Sequence, residues 1–211
     1  MLRFHHTPVL LQKLFPQFTW RKEVSSKSVY LTFDDGPVPK VTEFVLDQLQ
    51  RFQAKATFFC VGDNLRRHPA LAERLFREGH TLGNHTFNHL SGWESTPEAY
   101  VENIKRCEAE LQKITGEDKE KKLFRPPYGK LSRKQMHMLK PAFELVMWDV
   151  LTYDFDASLP PAQCLHKTLT KTRSGSIVVF HDSLKAASNL FYVLPRYLKH
   201  LSGRGYTFEA L

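Results

Sequence analysis

Cysteine is scarce, with Cys60, Cys107 and Cys164 the only three among 211 residues. An odd count at wide spacing supports neither a disulfide framework nor a structural zinc knuckle. It suits reduced thiols and a cytoplasmic setting. Long apolar runs are missing as well. Val9-Leu10-Leu11 stops at Gln12 and Lys13, too short for a signal-peptide core, and no stretch approaches the roughly 18 apolar residues of a membrane span. The expectation is an unexported chain with no stable membrane insertion. Internal repeats and low-complexity segments are absent, and acids are the minority, 22 against 30 basic residues, for a formal charge of +8. The cations are scattered, and their densest group, Lys119-Glu120-Lys121-Lys122, holds an acid. No basic run of nucleic-acid type is present, so no nucleic-acid partner is expected. The charge reads as a solvated basic surface, or as attraction to an anionic polymer or envelope surface.

What the chain does have is alternation. At 211 residues it fits one domain with a sizeable core. Strands are expected at 29–33, 56–61, 80–83, 143–148, 176–180 and 205–209, with Lys122-Leu123-Phe124 leading into a proline turn. Helices are expected at 39–52, 69–78, 97–114, 131–139, 160–171 and 188–201. Thr96-Pro97-Glu98 opens the longest helix and Gly116 closes it. About seven βα units argue for parallel strands wrapped by helices, as a barrel or an open doubly wound sheet. The chemistry-bearing residues follow several different strands, and a barrel brings all those ends to one face, which favours the barrel.

Thr32-Phe33-Asp34-Asp35-Gly36-Pro37 puts two adjacent carboxylates where an apolar run meets a Gly-Pro breaker. A strand that ends in paired acids places charge at a loop edge, not in a core. Farther along, His85 and His89 stand four apart. On a helical turn that spacing puts both imidazoles on one face, within reach of one cation. Either motif alone is as readily a turn acid or a packed imidazole. Arg125-Pro126-Pro127-Tyr128-Gly129 is a rigid turn that presents one guanidinium and a few backbone N–H groups in fixed directions. Ile177-Val178-Val179-Phe180-His181-Asp182 runs a buried strand into an imidazole, the side chain suited to proton transfer near neutrality.

In that combination and order the chain resembles the polysaccharide deacetylases, carbohydrate esterase family 4, over residues 28–209. The resemblance implies a distorted (β/α)7 barrel with a catalytic domain at 28–211 behind an N-terminal extension at 1–27. It implies Asp34 as general base, Asp35, His85 and His89 as metal ligands, and Arg125 orienting Asp34. The Tyr128 N–H would hold the oxyanion, and His181 would be the general acid. Asp154, next to Phe155, would tune His181, with Asp149, next to Trp148, as its rival. Trp148, Phe155 and Val179 would line the acyl pocket, although the family usually has Trp at 155 and Leu at 179. The implied activity is metal-dependent N-deacetylation of N-acetylglucosamine-containing glycans. An O-acetyl polysaccharide esterase or a non-sugar amide or imide hydrolase is the alternative on the same site. Two imidazoles and a carboxylate suit Zn²⁺, with Co²⁺ or Ni²⁺ as substitutes. An acetylated amino-sugar glycan is the expected partner, and a monomer is the default. His80 and Cys60 read as packing residues, and Trp93 as a loop aromatic able to stack on a sugar.

Overall fold

Apolar runs rich in valine and phenylalanine extend, and the segments between them wind into helices, because each hides one face against the other. In the computed structural model, which describes residues 3–116 and 120–211, the order is α1 (Val9–Leu14), β1 (Ser28–Asp34), α2 (Val41–Arg51), β2 (Thr57–Cys60), α3 (Gly62–Arg67), α4 (Pro69–Arg77), β3 (Thr81–Asn84) and α5 (Pro97–Thr115). It continues with β4 (Lys122–Phe124), α6 (Arg133–Leu139), β5 (Phe143–Leu145), β6 (Val150–Leu151), α7 (Pro161–Lys171), β7 (Ile177–His181), α8 (Ala187–Ser202) and β8 (Thr207–Glu209). Lys119 of the basic cluster lies outside the described residues. The strands stand in the order β5-β4-β3-β2-β1-β7-β6, and β8 lies beside the start of β1. Every pairing is parallel. This is the curled sheet of a distorted barrel, as expected.

Both faces of the central strands are covered, and side chains alternate between them with a period of two. Val29, Leu31 and Phe33 of β1 share one cluster with Phe58, Phe180 and residues of α2 and α8. Tyr30 meets Phe59 and Ile177 in another. Phe33 stacks at 5.0 Å on Phe58 and 5.8 Å on Phe180, one ring from each of three adjacent strands. The remaining positions, Thr32, Asp34, Phe59, Val179 and His181 among them, turn to the opposite face, the barrel interior. Helix ends follow local chemistry. Thr96 caps α5 by accepting from the Ala99 N–H, and Gly116 ends that helix at φ 65.

Among the described residues β5 and β6 do not pair. The segment before β1 lies in that opening as a strap. The Thr19 N–H donates to Leu145 O (2.9 Å) and the Met147 N–H to Thr19 O (2.8 Å). Higher up, the Thr7 N–H donates to Asp149 O (2.9 Å) and the Leu151 N–H to His5 O (3.2 Å).

Most expected elements appear with ends shifted by a residue or two. The expected strand at 143–148 is a correction. It stops at Leu145 because Met147 leaves the sheet to bond the strap, and the chain re-enters as β6. Helices α1 and α3 were not expected. The helical turn expected at 85–89 is absent, since Thr86 and His89 are left-handed at φ 65 and 58. Side chains take the backbone donors there. Asn84 Oδ1 accepts the Thr86 N–H (2.9 Å), Asn103 Oδ1 the Phe87 N–H (2.7 Å), and Thr86 Oγ1 the Leu90 N–H (2.9 Å). Among the described residues no helix is long and apolar enough to cross a membrane.

Candidate active site

The strand ends converge as a barrel requires. Asp34 closes β1 and is the register partner of His181, which closes β7. Asp34 is buried, and the Arg125 guanidinium, 0% exposed, meets it. Arg125 Nη1 donates to Asp34 Oδ1 at 2.6 Å and to Thr32 Oγ1 at 2.7 Å. Its Nη2 donates to Met147 O at 3.0 Å and its Nε to Val146 O at 3.3 Å. The guanidinium also lies 4.1 Å over the Phe59 ring. A buried cation with this many partners leaves Asp34 one fixed orientation.

Asp35, at φ 83, turns out of the strand. Its Oδ1 is 3.2 Å from His89 Nε2 and 3.8 Å from His85 Nε2. The three ligand atoms lie within 4.8 Å of one another. His85 Nδ1 is 2.7 Å from Arg125 O, so it carries the proton and donates, leaving Nε2 as a lone pair aimed at Asp35. His89 Nδ1 pairs with the Tyr128 hydroxyl at 3.1 Å. Burial pushes the His85 imidazole down to about 4 despite nearby Asp34, so it stays neutral, the form a ligand must have. Burial alone would raise the Asp35 carboxyl, but the hydrogen bond to His89, with His181 and His85 nearby, holds it well below the usual carboxylate range. Two imidazole nitrogens and one carboxylate oxygen at this spacing fit a divalent metal.

His181 Nδ1 is 2.7 Å from Asp154 Oδ1, and the His181 N–H donates to Asp154 Oδ2 at 2.8 Å. Burial pushes this imidazole down, but the charge and hydrogen bond of Asp154 outweigh it, with Asp35 and Asp34 adding to the rise, and it stands at about 9. Asp149 belongs elsewhere. It accepts from Ser176 Oγ (2.7 Å), Gln12 Nε2 (3.0 Å) and Arg173, at the opposite end of the β6–β7 pair. Of the two rival acids, Asp154 is the one in contact with His181.

Asp34, Asp35, His85, His89 and His181 all face a cavity of about 500 Å³, walled by Tyr128, Trp148, Leu151, Phe155 and Val179. The three expected pocket residues are there. The Phe155 ring meets His181 edge-on at 4.9 Å. Tyr128 is left-handed at φ 60, and its N–H has no acceptor among the described residues. Trp93 is exposed and lines no part of this cavity, and His80 is buried with Nδ1 accepting the Ala56 N–H.

Three residues escaped the sequence reading. Leu151 was hidden in the missed β6. Asn64, on the missed α3, donates to Asp35 O at 2.7 Å. Asp182 ends the segment 177–182, where only His181 carries an expected role. It is wholly buried, its Oδ1 accepts the Gly36 N–H (3.0 Å), its Oδ2 accepts the Thr42 hydroxyl (2.5 Å), and its own N–H donates to Asp34 O (3.1 Å). A Cβ at Gly36 would stand 1.9 Å from Asp182 Oδ2, so only glycine fits there. Burial, with Asp35 nearby, pushes the Asp182 carboxyl up to about 7 against the opposing hydrogen bond from Thr42.

Comparison with known proteins matches residues 21–142 to the polysaccharide deacetylase family. A peptidoglycan-N-acetylglucosamine deacetylase of Bacillus cereus is 34% identical over 192 residues, 90% of this chain and 89% of that protein. A chitooligosaccharide deacetylase of Azorhizobium caulinodans is 34% identical over 160 residues, 75% of each. A solved peptidoglycan N-acetylglucosamine deacetylase, in complex with a naphthyl N-hydroxybenzamide, superposes with a TM-score of 0.87 at 27% identity, over 97% of this chain and 95% of that one.

Proposed function

This chain belongs to the polysaccharide deacetylase family, and from that membership we propose that it hydrolyses N-acetyl groups from N-acetylglucosamine-containing glycans of peptidoglycan or chitin type. It is a hydrolase of carbon–nitrogen bonds, and deacetylases of this family are metal-dependent. The observation that carries the reading is the convergence of Asp35, His85 and His89 within 4.8 Å, with Asp34 and His181 on the same cavity.

Asp35, His85 and His89 would hold the ion, and zinc is proposed because borderline-soft imidazole nitrogen with one carboxylate suits it, cobalt or nickel serving as substitutes. When bound, such an ion supplies Lewis acidity and lowers the pKa of water toward about 7. Asp34, pinned by Arg125, takes a proton from the water that attacks the amide carbon. The Tyr128 N–H faces the developing oxyanion. His181, cationic through Asp154, gives its proton to the leaving nitrogen, so acetate and a free amine result. Phe155, Val179 and Trp148 exclude water around the acetyl methyl group. The cytoplasmic setting expected from the three thiols, all free and buried, is part of the same proposal, and cell fractionation tests it.

Acetate release is to be measured from N-acetylglucosamine oligomers, peptidoglycan fragments and acetylated xylan, before and after chelation and after zinc or cobalt is returned. Release from the amino-sugar substrates that chelation stops and metal restores is expected. Release confined to acetylxylan would assign the site to ester hydrolysis. Activity that survives thorough chelation would remove the metal from the reading.

A further inference from the structure

Residues 1–22 contain Arg3, Lys13, Arg21 and Lys22 but no Asp or Glu. Within this stretch α1 reads Val9-Leu10-Leu11-Gln12-Lys13-Leu14, and none of its residues is buried. Leu10 is 71% exposed, Leu14 63% and, nearer the pocket end of the strap, Phe4 61%. Soluble surfaces carry single exposed leucines without consequence, but a contiguous apolar patch marks contact with something.

The display is built. Gln12 Nε2 reaches inward to Asp149 Oδ1 and to Thr7 O, both at 3.0 Å. Trp20 Nε1 donates to Phe15 O at 2.9 Å. With Gln12 tied to the barrel, helical geometry turns Leu10 and Leu14, two residues either side and four apart, to the face opposite it. The strap's hydrogen bonds to Leu145, Met147, Asp149 and Leu151 hold both ends of the segment. The leucines are therefore held outward by an anchored frame and do not result from fraying.

A groove beside α1 is lined by Val9, Lys13, Phe18, Trp20 and Arg21. Lys13 and Arg21 are exposed and have no carboxylate within ion-pair distance among the described residues, whereas Arg3 is paired with Asp156 and Lys22 with Glu144. Arg21 Nη2 donates to Ser174 O at 2.8 Å, and Glu144, bonded to Thr19 of the groove, is paired with Lys22. An apolar ridge beside two cations that have no carboxylate partner among the described residues matches the headgroup–acyl boundary of an anionic bilayer, where leucine enters the acyl edge and lysine or arginine meets phosphate. A second copy of the chain fits poorly, because a symmetric contact would bring two faces of the same net positive charge together.

We propose that this face of α1 docks the protein onto the surface of an anionic phospholipid bilayer, as adsorption without spanning. The Phe4 N–H donates to the Tyr153 hydroxyl at 3.1 Å, two residues before Phe155 of the pocket wall, so the strap that carries α1 begins at the catalytic end of the barrel.

The test is co-sedimentation of the whole chain with phosphatidylcholine vesicles containing a quarter phosphatidylglycerol, and with phosphatidylcholine alone, at low and high salt. Binding to the anionic vesicles at low salt is expected, with loss at high salt or on the neutral vesicles. Leu10→Glu with Leu14→Glu is expected to lower partitioning by at least about tenfold. Lys13→Ala with Arg21→Ala should lower it about 25-fold, near fivefold for each cation removed. Circular dichroism and thermal midpoint, which these exposed positions should leave unchanged, certify folding. Absence of binding at low salt, or binding indifferent to the leucine substitutions, would overturn the proposal. So would a dimer, seen by light scattering, that those substitutions dissolve without any vesicle binding.

Discussion

Replacing Asp154 by asparagine tests the proton-transfer half of the site. The substitution keeps shape and one acceptor but removes the charge that raises His181. His181 stands at about 9 against its ordinary 6.5. That difference corresponds to about 3 kcal/mol favouring the cation. Burial opposes the rise and Asp154 is its main source, so the variant imidazole should fall to its ordinary value or lower. If His181 is the acid, the basic limb of kcat then moves down by about two units or more. Near pH 8.5 the wild-type acid is mostly protonated while the variant is about 1% so, a loss of about 70-fold. Near pH 6 the two differ by little. A bound divalent ion cancels part of the Asp35 charge and draws both limbs down together, leaving the gap between them. Stability follows the same linkage. The raised pKa contributes stability fully below about 6.5, and this is lost as pH rises through about 9, so the wild type's margin over the variant is largest in acid. The assay is amine release from an N-acetylglucosamine oligomer across pH 5.5–10, with thermal midpoints at the same points. A uniform loss at every pH with the limb unmoved would refute the assigned role.

Three further outcomes follow from the geometry. Arg125→Met strands the buried Asp34 carboxylate, so about 3–5 kcal/mol of stability should disappear together with activity, and a denaturation midpoint equal to wild type would contradict this. Tyr128→Phe removes the hydroxyl paired with His89 Nδ1, and zinc affinity measured against a chelating dye should weaken at least about tenfold. An unaltered affinity would mean that the pairing does not orient His89. Asp182→Ala leaves the Gly36 N–H and the Thr42 hydroxyl without their buried acceptor, for a loss of about 2–5 kcal/mol. Asp182→Asn should recover much of it in urea unfolding, and equal losses in both would argue against the clamp.

The parts of this molecule that were legible in sequence are those where one physical rule acts alone. Val29 to Phe33 is apolar but for Thr32 because parallel strands are covered on both faces, and Thr96-Pro97 with Gly116 brackets α5 through caps that need no tertiary help. Asp34, Asp35 and His181 were legible because a charge at the end of an apolar run has few other places to go. The histidine pair was found by spacing but given the wrong backbone, since Asn84, Thr86 and Asn103 compete for donors from positions that look unremarkable in the chain. Asp149 and Asp154 carry the same local signal, an acid beside an aromatic ring. Only the pairing of β6 with β7 separates them, by placing Ser176 against one and His181 against the other. The strap before β1 has no periodicity, because its hydrogen bonds go to strands far along the chain.

The pairing of Asp34 with His181 across β1 and β7 has an evolutionary consequence. Two groups on adjacent parallel strands are spaced by the sheet repeat, about 4.8 Å between strands, a length that no exchange of surface loops can stretch. Grafting different rims onto this barrel can therefore redirect which glycan it accepts while the proton machinery is inherited unchanged. A slip of one residue in β7 would instead swing Phe180 inward and His181 out, erasing activity with scarcely a change in composition.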